Sequence, residues 1–412
     1  MTYRLLLTTA LAATVALPAA AQDELRFFNV FDARVMELWQ PVLDAYADAT
    51  GVTILSESIA GSGAAVYPDV LRTSIASGSP PDVFFMWGGT IAQPLIDAGQ
   101  VREVSDLYEQ YGWNDRFPPW IIDRLRQPDG TIYGVPFKAR GMGLWYKKAQ
   151  FEELGLSAPT TYAELEQVCT VLAENDIHCA SFGGQFGWHT MRLVDYFLED
   201  TCGPAVHDAI NARIESWDQP CVVDAFARLK SWADNEWLVP DFLGVSPSDS
   251  RMPMYLGNAA MVYEGGWFEN TLVADGQDPN DYAFFLPPTA SGRYHAFPEQ
   301  WMIPSDAASP DAAGAYLDWV TGGETHLTFR AAFEGSVSEG YSPDCAAFPH
   351  ACAWTEILTS DRGTYPPTDQ AFEKELIDGF FEAQDGVVAG LMTPEEAAAL
   401  IQSYVEQYDS RG

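Results

Sequence analysis

Basic residues are scarce in this chain. Lys and Arg number 22 against 58 Asp and Glu, a net charge of −36 over 412 residues. A field of that sign repels nucleic-acid phosphates and anionic membrane surfaces. Neither is expected as a partner. Long apolar runs are missing as well: after residue 21 no stretch reaches the ~20 residues of a membrane-spanning helix. Cysteine does not occur before Cys169. None stands at the end of the N-terminal apolar segment, so a lipid-anchored start is not expected. There is no Gly-x-Ser-x-Gly, no His-Glu-x-x-His and no calcium loop. Gly61-Ser62-Gly63 lacks the Lys-Ser/Thr of a nucleotide-binding loop, which leaves phosphate a weak reading there. The 58 carboxylates leave a glycosidase pair ~5–9 Å apart open, but nothing singles one out.

The chain begins with "MTYRLLLTTALAATVALPAA": one basic residue, Arg4, an apolar stretch, then small residues ending Ala19-Ala20-Ala21. That reads as a secretory signal over residues 1–21, cut before Gln22, and predicts an exported mature protein. The six cysteines fit an oxidising compartment. Their spacing suggests neighbour pairs, Cys169–Cys179, Cys202–Cys221 and Cys345–Cys352, though other pairings stay open. Metal ligation is the rival reading. It lacks a Cys-x-x-Cys pair and clustered histidines.

Strand-like and helical stretches alternate from residue 25. "LRFFNV" is followed by a helix whose Val35, Leu38, Val42, Leu43 and Tyr46 recur at helical spacing up to Gly51. "VTILSES", "YPDVLRTSIASG" and "PPDVFFMW" continue the pattern, predicting an α/β lobe on a mostly parallel sheet. Around "GTIYGVPFKARGMGLWYKK" glycines and a proline interrupt two strand-like runs, as at a crossing into another lobe. "YHAFPEQWMIPSDA" reads as a second crossing. The expected organisation is a first lobe over 22–136, a second over 137–297, a return to the first over 298–340, and second-lobe helices over 341–412. Such lobes hinge about a cleft, with ligand loops at the carboxyl ends of the strands.

Those loops supply the candidate binding residues. They are Asp32 after the first strand, Ser62 in the second link, and Trp87, Gly88 and Thr90 after the third strand. The first crossing adds Arg140, and the second lobe adds Trp188, His189, Glu264 and Trp267. Glu299 and Trp301 come from the second crossing. A sugar offers flat C–H faces and a rim of hydroxyls. Indole rings suit the former; carboxylates, amides and arginine suit the latter. Gly265-Gly266 before Trp267 is expected to let that ring swing free of its strand. Trp39, Trp145, Trp232 and Trp319 read instead as core.

Five segments in order resemble the extracellular solute-binding proteins of ABC sugar importers, the group that includes maltose-type binding proteins. They are "IASGSPPDVFFMW", "IYGVPFKARGMGLWYKKAQFEELGLSAPTTYAEL", "YLGNAAMVYEGGWFENTL", "SDAASPDAAGAYLDWV" and "TPEEAAALIQSYV". The resemblance spans nearly the whole mature chain. It implies an α/β, two-lobed periplasmic binding protein fold, its lobes joined by crossover hinge segments with a ligand cleft between. It also implies a non-enzymatic monomer without cofactor or metal that passes a small-molecule sugar to a membrane permease. Trp267 matches the family's stacking tryptophan, and Trp87 to Thr90 match its first-lobe sugar loop. Arg140 stands where some relatives place a carboxylate, which leaves the ligand's charge open. Alternatives are a polyamine, a glycerophosphodiester or iron on the same fold, or a secreted glycoside-acting enzyme.

Overall fold

The computed structural model describes residues 24–59 and 63–411. The segment read as a signal, the expected cut before Gln22, Gly61 and Ser62 lie outside them. Nine strands form the described sheet: β1 (Glu24–Asn29), β2 (Thr53–Ser58), β3 (Val83–Trp87), β4 (Gly134–Lys147), β5 (His178–Ser181), β6 (Ala259–Gly265), β7 (Tyr282–Phe285), β8 (Tyr294–Met302) and β9 (Thr364–Tyr365). The order is β2-β1-β3-β8-β4-β6-β5, with β7 beside β4 and β9 beside β8.

Local chemistry accounts for the first unit. Asp32 caps the helix Ala33–Thr50 by accepting from the Val35 N–H, and Gly51 ends it in the left-handed region at φ 78°. Trp39, Val42, Leu43 and Tyr46 fall on one stripe and are buried. β1 then pairs parallel with β2 and β3. At the other end of the chain, Thr393 and Glu396 form a reciprocal capping box that starts the helix Pro394–Asp409.

Parallel pairing holds at the two ends of the sheet, β2-β1-β3 and β5-β6, but the crossings are antiparallel: β3 with β8, β8 with β4, β4 with β6. The expected pair of interrupted runs is one continuous strand, β4, with a register shift between Pro136 and Lys138. Its glycines do not break it. A Cβ on Gly141 would come 2.5 Å from the Trp354 ring, so the bare backbone gives that indole its seat.

β4 and β8 run from one hydrophobic core into the other. Phe137 and Ala139 belong to the first core, Met142 and Leu144 to the second; Trp301 and Met302 belong to the first, Phe297 to the second. Both cores are rich in aromatic rings, and they differ in cross-linking. The first has no disulfide among its residues. The second is cross-linked: Cys169–Cys179 ties the helix Tyr162–Ala173 to β5, and Cys202–Cys221 ties the helix Trp188–Asn211 to the helix Pro220–Asp234. Cys345–Cys352 closes the turn before the helix Ala351–Leu358. All three pairs are the neighbours that spacing suggested.

Candidate functional site

β8 carries the lobe junction at residues 297–299. Register sets Trp87 of β3 opposite Glu299 and Arg140 of β4 opposite Phe297. The ladder extends one step past β3, where the Gly88 N–H donates to the Pro298 carbonyl at 3.0 Å. A Cβ on Gly88 would press into the Pro298 ring, which is the reason for glycine there. Trp87 is half-buried, lies edge-on to Phe85 at 4.8 Å, and packs against both cores. Its carbonyl accepts from the Gln300 amide at 3.0 Å.

Two more half-buried indoles face the junction from the second lobe. Trp267 follows β6. Its ring lies across Gly265, where a Cβ would overlap it, and its Nε1–H donates to Glu264 Oε2 at 2.8 Å. The expectation that the glycines free this ring is corrected: the missing side chain makes a bed for the indole, and Glu264 tethers it. Trp188 opens the helix Trp188–Asn211. Arg192, one turn on, lies 5.8 Å from the Trp188 ring and 5.3 Å from the Phe297 ring. Phe297 is 6.4 Å from Trp267, and the Arg140 guanidinium is 6.0 Å from Trp267. These contacts join Trp188, Arg192, Phe297, Trp267, Arg140 and Glu299 into one chain of neighbouring side chains, in which Arg192 and Phe297 are buried, with Trp87 opposite Glu299 in register.

The arginines in this chain of contacts are paired. Arg140 donates through Nε to Glu299 at 3.1 Å and through Nη1 to Glu334 at 2.7 Å; the three side chains are 11%, 12% and 4% exposed. Burial weakens the charged form of Arg140, but the two carboxylates outweigh it and strengthen its hold on the proton. Lys138, beside it, is pulled down to about 7 by burial and by Arg140, against the attraction of Glu334 and Glu299. Arg192 pairs with Asp369 at 3.1 Å, and Arg251 pairs with Glu264 at 2.8 Å.

Several expected contacts have other roles. Trp301 is 1% exposed, stacked on Phe137 at 3.9 Å and edge-on to Phe27, Trp39 and Phe85. It is core and offers no face to a ligand. His189 is fully buried; its Nδ1 accepts from the Gly183 N–H and its Nε2–H donates to the Tyr263 carbonyl, so both nitrogens are used. Glu264 is likewise buried and serves as a support for Trp267 and Arg251. Asp32 is occupied as a helix cap. Thr90 donates to the Phe372 carbonyl at 2.7 Å, a bond that joins the lobes. A cavity of about 310 Å³ lies at this edge of the junction, with Gly89, Thr90, Arg124, Asn211, Phe297 and Gln370 among its walls.

Sequence reasoning missed Glu334, Arg192, Asp369 and Phe297. Glu334 lies far along the chain from Arg140, in a return segment held to β4 by the Ala139 N–H to Gly335 carbonyl bond of 2.9 Å. A guanidinium set in an apolar crossing strand signals the need for carboxylates, but not which of 58 supply them.

Two α/β lobes, joined by strands that pass from one core to the other and carry polar and aromatic groups between, define a two-lobed solute-binding protein. The chain belongs to the bacterial extracellular solute-binding protein family, whose sequence profile matches residues 33–325. It is 24% identical over 363 residues to an uncharacterized ABC transporter extracellular-binding protein of Pyrococcus horikoshii, covering 86% of this chain and 76% of that one. Its fold is similar to that of a protein from work on xylan utilization by Caldanaerobius polysaccharolyticus, with TM-score 0.82, 19% identity, and coverage of 92% of this chain and 99% of that one. It is also similar to a chitin oligosaccharide binding protein, with TM-score 0.80, 21% identity, and coverage of 94% and 99%. Members of this family are substrate-binding proteins, not enzymes. The family implies a small-molecule ligand, a membrane permease partner and a periplasmic or secreted location. Among the described residues no helix is long and apolar enough to cross a membrane.

Proposed function

We propose that this protein binds a sugar, from one unit to a short oligosaccharide, between its lobes in the periplasm and delivers it to an ABC importer permease. The carrying observation is the set of three half-buried tryptophans at the lobe junction: Trp267 beside Arg140, Trp87 opposite Glu299 in register, and Trp188 beside Arg192. Indole faces held at fixed angles stack on the C–H faces of a pyranose, and the flanking carboxylates accept from its hydroxyls. Contact from both lobes favours the closed arrangement, since a ligand shifts a two-state protein by its differential affinity. That structural relatives come from work on xylan utilization and include a chitin oligosaccharide binding protein supports the same ligand class. The signal reading of residues 1–21 supplies the export route.

A thermal-shift and calorimetric panel tests this. At least one neutral sugar is expected to bind at micromolar strength or better, about −8 kcal/mol. Polyamines, a glycerophosphodiester and ferric iron form the competing arms; tighter binding by any of them overturns the sugar reading. Oligosaccharide recovered intact after long incubation separates binding from glycoside cleavage.

A further inference from the structure

We propose that the cavity at the edge of the lobe junction is a binding site for a small organic carboxylate, held by Arg124 of the first lobe and by Asn211 and Gln370 of the second. It goes beyond the sugar reading and does not depend on it. The cavity lies in a gap beside β8. The Tyr294 N–H and the Pro298 carbonyl, four residues apart, point to the same edge of that strand. The first donates to the Gly363 carbonyl just before β9, and the second accepts from the Gly88 N–H just after β3. Between those two strands the edge is left open, and Ala296, Phe297 and Pro298 form one wall of the cavity of about 310 Å³. That volume is at the lower end of small-molecule sites, ~300–1,000 Å³.

Of the described arginines, Arg124 is the one that is half-buried and has no ion pair; the others without one, Arg126, Arg330 and Arg362, are exposed. Its hydrogen-bond partner is the Thr364 carbonyl at 3.2 Å. Burial loosens its hold on the proton; the charge of Asp208 acts against that, and the charge of Arg293 adds to it. Asp208, also among the walls, is already committed: its oxygens accept from Arg293 at 2.7 and 3.0 Å. Asn211 is 7% exposed, yet neither polar atom of its side-chain amide has a partner. A buried amide in that state is costly and marks a missing partner. Gln370, 5% exposed, brings a second amide to the walls. A carboxylate matches this set. The planar guanidinium takes it with two parallel N–H donors, and amide N–H groups take the remaining lone pairs. One unpaired cation balances one negative charge, not two. Ala212, Pro298 and Pro366 wall the space left for a short carbon body.

Calorimetry on the sugar-free protein tests this with acetate, lactate, pyruvate and benzoate, and with their matched amides, phosphate and sulfate as the competing arms. At least one carboxylate is expected to bind at one site per chain, at least about tenfold more tightly than its amide. Arg124→Gln is expected to weaken that binding by about tenfold or more. Ala212→Phe, at an exposed position on the wall, should weaken it by filling the cavity, and decides the matter if Arg124→Gln does not fold. No saturable carboxylate binding overturns the proposal, as does an amide bound as tightly as its acid, or unchanged affinity in a folded variant. Tighter binding of phosphate or sulfate overturns the carboxylate assignment. No sugar enters this experiment, so failure of the sugar reading leaves the site standing, and failure here leaves the sugar reading standing.

Discussion

In the first core Trp301 lies face to face with Phe137 and edge-on to four further rings. At the lobe junction Trp87, Trp188 and Trp267 each leave part of the indole uncovered. The residue type is the same; the backing differs. Trp301 is enclosed by carbon on all sides, whereas Trp267 is held by a glycine below, a carboxylate at its Nε1 and a guanidinium across. A ring walled by carbon stabilises the fold. A ring held by polar groups at its edge keeps a face in reserve. The lobes differ as well: both pack aromatic rings, but the second adds the disulfides Cys169–Cys179 and Cys202–Cys221 and ion pairs such as Glu199 with Arg293 at 2.7 Å.

The largest expected break in this comparison is Trp301→Ala, which should cost roughly 3–5 kcal/mol of stability in chemical denaturation by leaving a cavity among the rings. Equal stability with weakened sugar binding would return Trp301 to the ligand site. Removing Cys202–Cys221 by paired alanine substitution should cost about 2–4 kcal/mol, detected as a lower melting temperature that reductant no longer shifts as far. Trp267→Ala should instead weaken sugar binding by roughly 1–3 kcal/mol in calorimetry, with a smaller change in stability. Unchanged affinity with lost stability would make Trp267 a second Trp301.

Acid sharpens the contrast further. Burial pushes Glu199 up, but hydrogen bonds from His207, Arg293 and Ser291 override it and hold the carboxyl down at about 2. A depressed carboxyl contributes stability that is complete above its unfolded value of about 4.5 and is lost as pH falls towards 2. Glu199→Gln should flatten that part of the acid limb in pH-dependent denaturation; an identical limb in the variant refutes the assignment. The smallest effect is expected from Thr90→Val, which removes one interlobe hydrogen bond and should lower ligand affinity by about 0.5–1.5 kcal/mol.

Features set by near neighbours were legible in the sequence. Gly51 ends its helix, Val83–Trp87 is a buried strand, and each cysteine pairs within the next 19 residues or fewer. Features set by register were not. Trp301 falls into the core because Phe137 comes beneath it across an antiparallel crossing, and no local pattern states that pairing. Gly141 and Gly143 read as breaks because an absent side chain looks like a flexible joint; here Trp354 and Phe284 fill the space. His189 read as a donor to ligand because the bonds that consume both its nitrogens come from the loop at Gly183 and from β6.

β8 places Trp301 in one core, Phe297 in the other and Glu299 between them. If the proposed sugar leans on Glu299, the fulcrum and the fingertip are the same few residues: the guest pushes on the axle itself, and no relay of intermediate parts is needed to tell the two halves that the seat is taken.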